Sequence, residues 1–218
     1  MGRLSYLTVG TWYRIGTLTR ILFRKGRNGC EVIIEAVVST LDESGRVNLA
    51  PMGVVWGEER LVIRPYKATT TYRNLTATGQ AVVNLTDNVG VFAHTAVEDA
   101  EYACLPAAVV SGFVLADACA YREVVVETID DRAERASITC RVVYAERLRD
   151  FLGFNRGKNA VLEAAILATR LRWLGREAVL AEFKRLAEIV EKTGGEQEKA
   201  ALTFLDEYVG RWGNDGKS

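Results

Sequence analysis

Three β-rich runs lie so close together between Glu31 and Arg64 that little freedom of topology remains. Glu31–Thr40 (EVIIEAVVST) is dense in β-branched residues and stops at the turn-forming Asp42-Glu-Ser-Gly45. Arg46–Trp56 follows, then the turn Gly57-Glu-Glu59, then Arg60–Arg64. A parallel crossover takes about a dozen residues or more, so connections this short join antiparallel neighbours. The chain therefore opens its ordered part as a β-meander.

The periodicity then changes. Thr69–Thr78 places Ala68, Tyr72 and Leu75 at helical spacing, with threonines as N-cap signals and Gly79 as a stop. Gln80–Leu85 (QAVVNL) returns to strand. Thr86–Pro106 reads as an irregular loop with a short helix, and Ala107–Ala116, Tyr121–Thr128 and Arg135–Leu148 read as further strands. Six or seven strands with one early helix predict a closed or nearly closed antiparallel barrel. After Arg149 the pattern becomes helical. Phe151–Lys158 is a loop, and helices follow over Asn159–Leu174, Arg176–Lys192 and Glu196–Tyr208. The expected organisation is a barrel domain over 1–149, a helical subdomain over 150–212 and a flexible tail over 213–218.

Composition narrows the function classes. Equal numbers of basic and acidic residues, 28 each, leave no global charge to attract nucleic acid or an anionic membrane. The basic stretch Arg147–Arg185 is interleaved with Glu163, Glu177 and Glu182, as a solvated helical face is. No apolar run suits a membrane span or a secretory signal, so a cytoplasmic protein is expected. Cys30, Cys104, Cys119 and Cys140 form no C-x-x-C pair, and His94 is the one histidine, so no metal site is expected. The cysteines read as reduced, mostly buried small hydrophobes, with a Cys119–Cys140 disulfide left open. His94, in a loop, reads as a satisfied side chain more than a proton donor. Trp12, Trp56, Trp173 and Trp212 form no stripe and read as packing residues. Glu58-Glu59 and Asp130-Asp131 read as solvated turns.

One segment carries chemistry. Arg64-Pro-Tyr-Lys67 leads into Thr69, Thr70 and Thr71 at the start of a helix. Unpaired N–H groups and the partial positive charge of a helix N-terminus attract phosphate, and hydroxyls and cations add to that attraction. Helix-capping threonines beside solvated cations would look the same. The preceding strand has Pro51 and Gly53 inside an apolar run, which argues for an edge, a bulge or close approach of a ligand. Asn48 and Asn84 offer amides suited to the edge of a pyrimidine-like ring. A second cluster, Asn155, Arg156 and Lys158, precedes the helix containing Val161 and Leu162. It either receives an anion, such as a flavin phosphate or an anionic second substrate, or caps a surface helix.

The order NLAPMGV, RPYKATTTYRNL and QAVVNLT resembles the flavin-reductase-like FMN-binding split barrels. Together with Gly153–Leu171 it resembles a prokaryotic family within them that joins such a barrel to a C-terminal helical domain. The resemblance implies a mainly β fold with α elements, an antiparallel Greek-key split β-barrel followed by a helical subdomain. It implies FMN bound at or near the interface of a homodimer that covers barrel edges left open by the split. The phosphate would sit at Arg64, Lys67 and Thr69–Thr71. The ring would lie along Asn48, Ala50, Pro51, Met52 and Gly53, with Asn74 and Asn84 nearby, and Asn155 and Arg156 as further contacts. NADH or NADPH is the implied electron donor if the protein is an oxidoreductase. A non-catalytic flavin carrier, or a module for another phosphorylated ligand such as a nucleotide or pyridoxal phosphate, remains open.

Overall fold

A computed structural model describes residues 31–212. Cys30, Trp12 and the expected tail over 213–218 lie outside the described residues. The meander is present as β1 (Ile33–Leu41), β2 (Val47–Val55) and β3 (Arg60–Ile63). Helix α1 (Thr70–Thr78) follows, capped by the Thr69 hydroxyl and closed by Gly79 at φ +68°. Then come β4 (Gln80–Leu85), α2 (Val89–Val97), the hairpin β5 (Cys104–Pro106) and β6 (Phe113–Leu115), and the long pair β7 (Ala120–Asp130) and β8 (Ser137–Arg147). Helices α3 (Arg156–Ala168), α4 (Leu171–Leu174), α5 (Arg176–Thr193) and α6 (Glu196–Arg211) complete the chain.

The barrel closes in the order β1-β2-β3-β8-β7-β4. Strand β4 returns beside β1 after the β1–β3 meander, which is a Greek key. Alternation along β1 explains its burial on both faces. Ala36 and Val38 point inward with Val54, Leu61, Ile63 and Ile138, while Val37 points outward beneath Val114 and Leu115 of β6. Leu75 of α1 plugs the barrel end at which β1 finishes and β2 starts.

Four details depart from the sequence reading. Ala107–Ala116 is not one strand: its first six residues are the loop of the β5–β6 hairpin, and only Phe113–Leu115 is strand. The N–H groups of Ala108, Val109 and Val110 turn away from any ladder and donate to the fully buried Glu123 carboxylate at 2.6, 2.7 and 2.8 Å. His94 lies on α2, bonded through Nδ1 to the Tyr102 hydroxyl at 2.9 Å and packed edge-on to Phe204. The first C-terminal helix starts at Arg156, because Asn155 caps it by accepting from the Lys158 N–H, and it breaks at Thr169 before α4. Asp130 ends β7 instead of lying in a turn.

Helix α2 leaves the barrel sequence to join the helical core. Its Val89 and Ala93 pack with Val161, Val179, Phe183 and Leu205. Gly157 makes close packing possible there: a Cβ on it would stand 2.8 Å from the Gly194 backbone. Among the described residues no helix is long and apolar enough to cross a membrane.

Candidate functional site

Strand β2 has a neighbour on one side only for most of its length. Its whole run pairs with β1, but β3 meets it only at Val54↔Ile63 and Val55↔Val62. Along Val47–Gly53 the second edge has no strand partner among the described residues, so alternate N–H and C=O groups there meet no acceptor or donor strand among those residues. Pro51 sits within this stretch, where a missing ladder donor is tolerated.

Helix α1 abuts this edge. The Asn48 amide donates to the Thr71 hydroxyl at 3.2 Å, and the Asn74 amide donates to Thr40 at 3.0 Å. Thr69 caps the Tyr72 N–H, leaving the N–H groups of Thr70 and Thr71 without an acceptor among the described residues. No acid occupies the first turn. Arg73 donates to the Thr70 hydroxyl at 3.0 Å, and Lys67 reaches the Asp131 carbonyl at 2.9 Å. Free N–H groups, hydroxyls and cations at one helix end form a donor set for a phosphomonoester.

The structure thus brings Asn48, Thr69, Thr70, Thr71, Asn74 and Lys67 together. It separates others. Ala50 and Met52 face the barrel interior opposite Val38 and Ala36, so only their backbones can meet a ligand at the edge. Arg64 is held in an exposed ion pair with Glu31 at 2.8 Å. Asn84 is fully buried and its amide is occupied: it donates to the Val37 carbonyl and accepts from the Leu115 N–H. It anchors β6 against the barrel, so the ring-edge contact expected of it has no free atom. The room expected over Gly53 is also filled, since a Cβ there would lie 2.6 Å from Ile33 Cγ2 and 3.3 Å from Glu35 Oε1. Tyr72, Thr40 and Asp131 belong to the cluster and escaped the sequence reading. The Tyr72 hydroxyl donates to Asp131, a contact that only the fold creates.

A cavity of about 920 Å³ opens at the opposite end of the barrel. Its walls are Ile34 and Glu35 of β1, the turn after β4, the starts of α2 and β7, the end of β8 and the start of α3. Asn155 and Lys158 line it, whereas Arg156 is exposed and outside the lining. Asp87 ties the walls together. Its carboxylate takes Arg149 at 2.6 Å and the Leu152 N–H at 3.4 Å, and its carbonyl takes Lys158 Nζ at 2.6 Å. The Arg149 guanidinium holds the Asp87 carboxyl down at about 2. Burial against the barrel, reinforced by like charge from Glu163, pushes the Glu35 carboxyl up. The described cysteines are unbridged, and burial raises the Cys140 thiol to about 12, so it is no nucleophile.

Family models and solved structures match this architecture. Residues 34–149 match the N-terminal domain model, and residues 155–207 the C-terminal model, of the protein family of unknown function DUF447. Among solved structures, an FMN-bound protein from Methanosarcina mazei assigned to DUF447 is 27% identical, with a TM-score of 0.69, over 82% of this chain and 95% of that one. An FMN-binding protein from Thermus thermophilus is 14% identical over 66% and 80% of the two chains, with a TM-score of 0.46. A nitrobenzoate nitroreductase from Pseudomonas fluorescens is 21% identical over 57% and 68%, also at 0.46.

Proposed function

This chain belongs to the DUF447 family, and from that premise we propose that it is an FMN-binding flavoprotein that works as an oxidoreductase. The observation that carries the reading is its likeness, along nearly the whole of the relative, to a family member that holds FMN. The residues present fit the cofactor. The Thr70 and Thr71 N–H groups, their hydroxyls and Lys67 would receive the phosphate. The edge of Val47–Gly53, without a strand partner among the described residues, offers alternating donors and acceptors over about 20 Å, at roughly 3.3 Å per residue, for the edge of a flat ring.

When bound, FMN supplies hydride or single-electron transfer, and the chain supplies binding and orientation. Asn48 and Asn74 act behind the site: the Asn48–Thr71 bond ties α1 to β2 and the Asn74–Thr40 bond ties it to β1, which keeps the phosphate and ring subsites in register. NADH or NADPH is the proposed electron donor. A homodimer is part of the same reading, because a strand edge with no partner among the described residues, beside half-buried side chains, is a surface that a second copy can cover. A cytoplasmic setting accords with the unbridged thiols.

The test is release of the bound chromophore from purified protein and its identification by mass. FMN at close to one per chain is expected. A colourless protein that takes up no FMN on reconstitution refutes the reading. Lys67→Ala combined with Thr70→Ala should weaken FMN retention at least tenfold, and wild-type occupancy would remove the phosphate assignment. Anaerobic bleaching of the bound flavin by NADH or NADPH separates a reductase from a carrier, and sedimentation gives the assembly state.

A further inference from the structure

The cavity at the far end of the barrel differs in chemistry from the α1 end. Apolar side chains dominate its wall, including Leu85, Phe92 and Leu162, and its mouth carries the exposed Phe151, Leu152 and Phe154. Its volume lies in the range of small-molecule sites. Each cation on the lining already has an acid. Arg149 pairs with Asp87 and Asp117, Arg147 with Asp150, and Lys158 with Glu198. Glu35 is the reverse case: on the solvent-exposed side of the cavity mouth, it has no hydrogen-bond or ion-pair partner among the described residues. Asp117, Glu163 and Glu198 stand behind the lining and add to the negative field. The starts of α2 at Asn88 and of α3 at Asn155 favour an anion, each with the effect of a partial charge alone.

We propose that this cavity is a substrate site for an uncharged or cationic aromatic molecule bearing a hydrogen-bond donor, which the Glu35 carboxylate receives. Apolar walls take the ring, and the unpaired carboxylate takes the donor and sets its position. The proposal differs from the anion expected at Asn155, Arg156 and Lys158, a flavin phosphate or an anionic second substrate. Its placement also gives it meaning. Glu35 is the cross-strand partner of Gly53, so the cavity meets the free edge of β2 where that edge ends. A molecule held on Glu35 would lie at the end of this strand pair away from α1, where the ring subsite along Val47–Gly53 stops. That last point rests on the FMN reading; occupancy of the cavity does not.

Calorimetric titration of the full chain with three probes of one shape tests this: naphthylmethylammonium, naphthol and naphthoate. The cation and the neutral donor are expected to bind, with naphthoate at least tenfold weaker. Glu35→Gln should lower the affinity for the cation about tenfold, which is about 1.4 kcal/mol. Leu162→Trp, which fills the cavity, should abolish binding of all three. Naphthoate binding as tightly as the cation, or an unchanged preference in Glu35→Gln, overturns the proposal. So does displacement of the probes by FMN, which would make the cavity the flavin's own. Charge selectivity in a protein that takes up no FMN would uphold the cavity and sink the flavin reading.

Discussion

Replacing Asp87 by asparagine keeps the shape of the side chain and removes the charge that holds the turn after β4 to the chain entering α3. The Asp87 side chain is 5% exposed, so solvent does little to screen its bond to Arg149. Its carboxyl lies near 2 instead of 3.8, a difference of about 1.8 units. At about 1.36 kcal/mol per unit this amounts to roughly 2 kcal/mol of folding stability. The sign follows from the direction of the shift. A lowered folded-state value stabilises above the unfolded value and loses that stabilisation as pH falls through the folded value. The Asp87→Asn variant should therefore be less stable than wild type by about 2 kcal/mol at pH 7, with the gap constant down to about pH 5. Near pH 3 the gap should shrink to about half, and it should nearly vanish by about pH 2. Urea unfolding at a series of pH values, read as the shift in midpoint at constant slope, measures it. Equal midpoints at pH 7, or a gap at pH 3 as large as at pH 7, would refute the assignment of this stabilisation to the Asp87–Arg149 pair.

Two other substitutions follow from the packing. Glu123→Gln leaves a buried amide facing three converging N–H donors and should destabilise by about 3 kcal/mol, read as a fall in thermal midpoint; an unchanged midpoint would show the Ala108–Val110 loop to be independent of it. Gly157→Ala forces a methyl against Gly194 and should cost about 1–3 kcal/mol, with hydrogen exchange accelerated in α3 and α5 and unchanged in β7 and β8.

The meander, the α1 boundaries and the barrel strands β4, β7 and β8 were legible because they obey local rules: β-branched runs, short turns, a threonine cap and a glycine stop. The donor set at the start of α1 was legible for the same reason, since a helix N-terminus is a local object. What stayed hidden depends on distant contacts. Ala107–Ala116 has strand composition, yet Glu123 draws its central N–H groups out of any ladder. Asn84 carries the same amide as Asn48, and nothing in the sequence says that one is sealed beneath β6 while the other faces Thr71. Glu35 reads as one polar residue in an alternating strand. The run Phe151-Leu-Gly-Phe154 carried a signal that could have found the cavity mouth, because three large apolar residues in a loop mark a contact surface.

Helix α2 explains why barrel and helical subdomain act as one unit although they match separate family models. It arises within the barrel sequence, but its Val89 and Ala93 are buried among α3, α5 and α6. Its Val91 and Phe92 are buried against the outer face of β1 and β4. The helix is therefore apolar on two sides, and removing the C-terminal helices would expose one of them. At about 25 cal/mol per Å² of apolar surface, such exposure costs several kcal/mol for a helix of this kind. Glu35 and Asp87 come from the barrel side of the cavity, Lys158 and Leu162 from the helical side, and α2 fixes the distance between them. The helical appendage thus completes a site that the barrel alone lacks, while the free β2 edge and the α1 N-terminus belong to the barrel alone. Two neighbouring binding chemistries can then vary separately within one rigid frame, meeting only where Glu35 crosses Gly53.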